Sequence, residues 1–487
     1  MTNFIVTTDE VVGVGNGRTL VADYDTLFVG RNATLGSSAL GGRGVVMQGI
    51  SQTVSIAGTV VGLTGIEQIG LGADINILTG GIISATSTAI DMAGSSSVRN
   101  DGMISGNRGI YCEASVFLTN TGVLNGGIDA LFVLGAGTLR NTGTISAAGT
   151  AVFIDGLAKI SNFGDILGGV STQDADDTIT NRGLMAGIVQ TGLGDDVVDT
   201  DGGRIEGQVY LGGGDDTFTG GAFGDQVRGD AGRDDISTGG GDDWIIAASG
   251  DGSDDVDGGN GIDTYDGRLL TTKLVVNLTT GIARNGAATD LLTGIERAFG
   301  GSGADLLTGN AGTNRLRGGD GADVLSGLAG ADALLGQNGA DQLLGGDGDD
   351  WLFGGTGKDV LDGGAGNDRL LGSIDADRLT GGAGDDAFVF EDFEDFIPVT
   401  GSALDRITDF VRGDDVIDLS GIDANGVLAG EQAFKFGGTS VVNALGELSY
   451  RFVGATTVIS IGYNTPMPFD VLVLDGRLAL TAADFVL

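Results

Sequence analysis

Histidine is absent from all 487 residues, and cysteine occurs once, as Cys112. The first absence removes imidazole both as a zinc ligand and as a general base. The second rules out an internal disulfide framework and leaves Cys112 to be read as a small buried residue of a β-coil. Proline is scarce, at 3 residues, and bases are few, with 25 Lys and Arg against 66 Asp and Glu for a net charge of −41. Phosphate backbones are bound by clustered Lys and Arg, so nucleic acid is excluded as a partner. No stretch of 18 or more apolar residues occurs, so no membrane-spanning helix is expected. The opening MTNFIVTTDEVV lacks a basic stretch and a long apolar core, so it does not read as a cleavable signal peptide.

Glycine is what the chain has in abundance, 94 residues of it. From Gly300 to Val389 a nine-residue phrase repeats without a break, as in GGDGADVLS (318–326), GGDGDDWLF (345–353) and GGTGKDVLD (354–362). Glycine opens each row and usually returns at the fourth place, Asp stands sixth and a large apolar residue eighth. The sixth places are Asp305, Asn314, Asp323, Asp332, Asp341, Asp350, Asp359, Asp368, Asp377 and Asp386. Upstream the same spacing gives Asp216, Asp225, Asp234 and Asp243, then after a two-residue slip Asp254 and Asp263. The phrase resembles the repeats-in-toxin (RTX) nonapeptide, GGxGxDx-apolar-x. That resemblance implies a calcium-binding parallel β-roll with two phrases per turn, so that each row stacks on the row two before it.

The residue types agree with that chemistry. Glycine permits the positive φ of a tight turn, the turn aims carbonyls inward, and Asp adds a carboxylate. Calcium takes six to eight oxygens and accepts such a mixture. The expected ligands are the fifteen Asp residues just named, Asn314 being set aside because it keeps an oxygen but loses the charge. Asp375, at a fourth place where glycine is usual, requires a less comfortable backbone angle. Ten rows make five coils, roughly 24 Å long at about 4.8 Å per stacked strand. Without calcium, stacked carboxylates repel one another and the array is expected to unfold. Acid is concentrated accordingly: residues 1–170 hold 12 acids and 7 bases, whereas 171–487 hold 54 and 18.

A longer repeat precedes the nonapeptides. Its core is Asn-x-Gly-x-apolar, at Asn100, Asn120, Asn141, Asn162 and Asn181, spaced 19 to 21 residues apart. Such a period is one coil of a right-handed parallel β-helix, with the Asn side chains stacked in a ladder at a corner and Ile104, Ile145 and Ile166 stacked in the core. Asp177, Asp196 and Asp216 carry both phrases, at the same coil period. Arg99, Arg140 and Arg182 recur beside the ladder and read as solvated positions rather than a binding stripe.

From Glu391 the glycine repeat stops. DRITDFVRGDDVIDLSGID (405–423), AFKFGG (433–438), GELSYRF (446–452) and LTAADFVL (480–487) resemble the C-terminal domain of serralysin-type RTX metalloproteases. In that family the region caps the β-roll and carries an uncleaved type I secretion signal. The family's protease holds zinc through H-E-x-x-H, which a chain without histidine cannot supply. The expected organisation is an N-terminal β cap (1–57), a parallel β-helix (58–210), a first RTX block (211–267), a spacer (268–299), a second RTX block (300–390) and the serralysin-like cap with secretion signal (391–487).

The expected protein is all-β, secreted, extracellular or cell-surface, and partnered by calcium, the type I secretion machinery and other copies of itself. The preferred function is a structural or adhesive component, a surface-layer, matrix or filament subunit that folds and assembles on calcium. The alternative is a polysaccharide-active lyase or epimerase on the β-helix, with cell-surface polysaccharide as ligand. Such an enzyme needs a base beside an acid sugar. Residues 1–190 offer one Lys (Lys159), Tyr24 and Tyr111, and no catalytic residue is singled out.

Overall fold

The computed structural model describes residues 3–6, 10–12, 18–20, 26–37, 42–391, 395, 404–424, 432–439, 445–462 and 469–487. The chain divides into two units, one of residues 1–246 and 250–261, the other of residues 247–249 and 262–487. Each is built of short parallel strands stacked coil on coil, because alternation along every strand gives one apolar side chain a place inside the coil. Among the described residues no helix is long and apolar enough to cross a membrane.

In the first unit one column of inward side chains runs Val98, Leu118, Leu139, Ile160, Ile179, Val198, Phe218, Ile236 and Val256, each in register with the next. Facing columns stack Ile104, Leu124, Ile145 and Ile166, and Ile110, Leu131, Val152 and Val170. All of these side chains are buried, and burial of each stabilises the coil by about 1.5–3 kcal/mol. The expected corner ladder is present: Asn100 Nδ2 donates to Asn120 Oδ1 at 2.7 Å, Asn120 to Asn141 at 2.7 Å, Asn141 to Asn162 at 2.8 Å and Asn162 to Asn181 at 2.8 Å. Cys112 is buried and unpaired, as anticipated. The segment expected as a cap supplies strands in the same register as the coils after it, with Thr26–Val29 pairing in parallel with Gln52–Ile56. Tyr24 lies outside the described residues.

In the second unit the two phrases per coil are visible in the register. Leu307, Leu325, Leu343, Leu361 and Leu379 form one column, continued by Ile407 and Leu474. Leu316, Leu334, Leu352, Leu370 and Phe388 form the other, continued by Ile417 and Phe485. Row therefore stacks on the row 18 residues away, as the resemblance implied. Between residues 268 and 299 the chain makes an antiparallel meander of Leu274–Asn277, Ile282–Asn285 and Ala288–Thr293. Its first strand pairs in parallel with Leu306–Thr308, so a coil is kept going through it. A second antiparallel meander, Glu447–Val453, Thr456–Ile461 and Phe469–Asp475, meets the coils at Asp405–Ile407.

Candidate metal centres

The sixth-place carboxylates line up in columns along the coil edges, buried without exception. One oxygen of most of them is held by the coil before it. The backbone N–H of Asp305 donates to Asp323 Oδ1 at 2.7 Å, and the same bond recurs from Asp323 to Asp341, Asp341 to Asp359 and Asp359 to Asp377, each at 2.8 Å. The second column runs from Asn314 through Asp332, Asp350 and Asp368 to Asp386. In the first unit Asp216 bonds Asp234 and Asp234 bonds Asp254, while Asp225 bonds Asp243. Asp263, in the second unit, donates its N–H to Glu296 Oε2 at 2.9 Å instead of to an Asp. Twelve of the fifteen expected residues thus accept the N–H of a sixth-place residue one coil earlier, and Asp305 accepts that of Leu274 at 2.7 Å.

The other oxygen is the informative one. Oδ2 of Asp216, Asp225, Asp323, Asp332, Asp341, Asp350, Asp359, Asp368, Asp377 and Asp386 is buried with no hydrogen-bond partner. A buried carboxylate oxygen left bare is costly. Except in the Asp216 row, which opens on Leu211, it faces a hollow kept open by the glycine that opens its row. A Cβ placed on Gly345 would lie 2.4 Å from Asp350 Oδ2 and 2.4 Å from the Gly363 carbonyl oxygen. On Gly363 it would lie 2.3 Å from Asp368 Oδ2 and 2.6 Å from the Gly381 carbonyl. Carboxylate and carbonyl oxygens from adjacent coils therefore converge where a side chain is missing. Among the described residues no three Asp, Glu or Cys side chains converge on one point, so a bound ion would draw mostly on backbone carbonyls. That donor set, all oxygen with about one carboxylate per row, fits calcium.

The turns that aim those carbonyls depend on left-handed backbone at places two and four, φ +120° at Gly346 and +138° at Gly348. Asp375 adopts φ +82°, the uncomfortable angle its position implied. Asp230, Leu328, Gln337 and Ser373, all at second places, are also left-handed, at φ +69° to +83°, which sequence reasoning overlooked. Each costs roughly 1 kcal/mol relative to glycine.

Burial is the largest influence on these carboxylates and the neighbouring carboxylate in the column adds to it. Asp216, Asp225, Asp323, Asp359 and Asp368 are pushed up to about 7, Asp350 and Asp386 to about 6, and Asp377, also repelled by Asp405, Asp359 and Asp375, to about 9. Without a cation Asp377 keeps its proton at neutral pH, the carboxyls near 7 are partly protonated, and those near 6 stay mostly charged and repel one another.

The structure extends the columns beyond the expected residues. Asp377 N–H donates to Asp405 Oδ1 at 2.8 Å and Asp386 N–H to Asp415 Oδ1 at 3.1 Å. Asp177 and Asp196 join at the other end, Asp196 bonding Asp216 at 2.7 Å. The signal for Asp405 and Asp415 was the Asp-x-apolar triplet in DRI and DVI, present without its full glycine prefix.

A different cluster lies on the outer face of the first unit. Glu67, Asp91 and Tyr111 stand in register on successive coils. Arg43 pairs with Glu67 at 2.7 Å, and the Arg108 guanidinium lies 5.4 Å from the Tyr111 ring. Burial, and after it Glu113, raises the Asp91 carboxyl. Tyr111, Phe132 and Phe153 stack face to face at 5.7 and 4.4 Å. Of the three arginines beside the Asn ladder, Arg99 pairs with Asp101, Arg182 with Asp199, and Arg140 packs over Phe163.

Comparison with known families accords with this geometry. Residues 257–487 match the family described as Peptidase M10 serralysin C terminal, and residues 210–245 match the RTX calcium-binding nonapeptide repeat, which occurs there in 4 copies. No curated protein matches the chain. Among solved structures, the AlgE6R3 subunit of the Azotobacter vinelandii mannuronan C5-epimerase is 27% identical, covering 38% of this chain and 79% of that one, at a TM-score of 0.19. The extracellular lipase LipA from Serratia marcescens is 13% identical, covering 68% of this chain and 40% of that one, at a TM-score of 0.14. The chain thus carries RTX repeats, which bind calcium ions, and a serralysin-type C-terminal domain.

Proposed function

We propose that this secreted calcium-binding β-solenoid is an extracellular structural or adhesive component, a subunit of a surface layer, matrix or filament that folds and joins other copies once calcium is present. The calcium ligands in this reading are Asp216, Asp225, Asp234, Asp254, Asp263, Asp305, Asp323, Asp332, Asp341, Asp350, Asp359, Asp368, Asp377 and Asp386, with Asp405 and Asp415 added by the geometry. Asp243 belongs to the same set by spacing. Secretion by a type I system suits such a chain, because the low calcium of a cytosol would leave the columns repelling themselves until export.

The observation that carries the reading is the regularity itself. Outward side chains fall in straight rows, such as Asp74, Ser97, Phe117, Thr138, Lys159 and Thr178 on successive coils. Such rows suit long, repetitive contacts more than one small substrate. Sedimentation of the full chain with millimolar calcium and with chelator tests it: calcium-dependent oligomers are expected, and a strict monomer in both would overturn the assembly reading.

A second reading rests on the Glu67, Asp91, Arg108 and Tyr111 cluster, in which a raised carboxyl, a phenol and a guanidinium share one face as a uronate lyase or epimerase would require. Loss of uronate turnover in both Asp91→Asn and Tyr111→Phe, with folding intact, would favour it. No turnover by the unaltered protein on polyuronates would dismiss it.

A further inference from the structure

The first place of each row is not always glycine. It is Thr172 in the Asp177 row, Thr191 in the Asp196 row and Thr238 in the Asp243 row, five residues before the carboxylate as Gly345 is before Asp350. All three threonines are fully buried. Thr172 Oγ1 donates to the Thr191 carbonyl at 2.9 Å, Thr191 Oγ1 to the Leu211 carbonyl, and Thr238 Oγ1 to the Gly258 carbonyl at 3.0 Å. Those carbonyls belong to the first place of the next coil. They are the counterparts of the Gly363 carbonyl that faces the hollow of the Gly345 row.

The same hydroxyls lie against the carboxylates of their own rows, Thr172 against Asp177, Thr191 against Asp196 and Thr238 against Asp243. The hydroxyl of a threonine row therefore caps the carbonyl that a glycine row leaves facing an open hollow, while Oδ2 of Asp177 and of Asp196 stays without a hydrogen-bond partner, as in the glycine rows. Room for it comes from coil length. Carbonyl follows first residue by 19 or 20 positions in the threonine rows and by 18 in the Gly345 row. A hydroxyl there gives the buried carbonyl a donor, which is the service a cation would otherwise perform.

We propose that Thr172, Thr191 and Thr238 close their rows to calcium, so that Asp177, Asp196 and Asp243 belong to metal-free coils. The inference rests on the reading that glycine-first rows hold the ions. It removes Asp243 from the ligand set that spacing alone gives, and it makes the first residue of a row, rather than its carboxylate, decide whether an ion enters. Leu211, first in the Asp216 row, offers no hydroxyl.

Native mass spectrometry of the full chain at fixed free calcium counts bound ions directly. Thr238→Gly should hold one ion more than the unaltered chain, and the triple variant Thr172→Gly, Thr191→Gly, Thr238→Gly three more. Thr238→Val, which fills the same space without a hydroxyl, should hold the unaltered number. A lower count in Thr238→Val would show the hydroxyl to be a ligand and overturn the proposal, as would an unchanged count in a folded Thr238→Gly. Should the glycine variant not fold, the valine variant decides alone. A chain that binds no calcium at all would instead sink the reading beneath it, which separates the two failures.

Discussion

The backbone N–H of Asp359 donates to Oδ1 of Asp377 at 2.8 Å, while Oδ2 of Asp377 is buried with no donor. Half of such a carboxylate is thus satisfied by its neighbouring coil, and half is held ready for something the chain itself does not provide. Most of the expected behaviour follows from that division.

Calcium removal should unfold the carboxylate coils and spare the Asn-ladder coils, whose corners are satisfied by amides. A site filled at about 100 times its dissociation constant adds roughly 2.7 kcal/mol, and many coupled sites multiply the effect. Hydrogen exchange with chelator should show protection lost across 300–390 and kept across 98–170. Uniform loss, or none, would contradict this.

The pH dependence has a definite sign. Asp359 and Asp368 rise from an ordinary 3.8 to about 7, and Asp377 to about 9, in the folded metal-free chain. A carboxyl with a raised folded pKa stabilises the fold while protonated. Its contribution is full below about 4 and is lost as pH climbs through 6 to 9. The metal-free chain should be more ordered at pH 5 than at pH 8 by circular dichroism, and calcium uptake should release protons near pH 6 but few above 9. More order at pH 8 without calcium would refute the assignment.

Asn141→Ala should destabilise the first unit whether or not calcium is present. It deletes the bonds to Asn120 and Asn162 and leaves the Asn120 amide and the Asn162 carbonyl with only longer bonds of 3.3 Å, at about 1–3 kcal/mol in all. Thermal melts in calcium and in chelator should shift alike. A shift seen only with calcium would mean that the ladder is coupled to the metal.

Leu343→Ala, in the middle of an unbroken leucine column, should cost about 2–5 kcal/mol and lower the apparent calcium affinity, because folding and ion binding are one event here. An unchanged calcium midpoint would show that the sites form without the core.

Asp375→Gly should gain about 1 kcal/mol from release of a left-handed residue and ease the metal-free state further, since Asp375 repels Asp359 and Asp377. The gain should be larger in chelator than in calcium. Equal gains would assign the whole effect to backbone strain.

Much of this was legible because repetition magnifies weak signals. One leucine at an eighth place says little, yet nine in succession closed by Phe388 require stacking, and the two columns, 307–379 and 316–388, follow. The Asn ladder was readable for the same reason. Asp405 and Asp415 escaped because their rows keep the Asp-x-apolar triplet without its full glycine prefix; their membership depends on contacts 28 and 29 residues away. The threonine rows escaped because they keep the sixth-place Asp of the phrase, whereas their difference stands at the first place. The Glu67, Asp91 and Tyr111 face could not be read linearly, since coil length alone brings those residues together.

A sequence that repeats itself so faithfully can be threaded onto its own scaffold in more than one way, and a shift by one whole coil would leave most leucines against leucines and most carboxylates against N–H groups. One exception is the contact between Asn314 and Glu296, where Asn314 Nδ2 donates to the Glu296 carbonyl at 3.3 Å. Displaced by 18 residues, Asp332 would bring a carboxylate against that carbonyl, oxygen against oxygen. The departure from consensus at Asn314 is therefore a registration mark. Restoring the consensus with Asn314→Asp would remove it and let the array start one coil out of step.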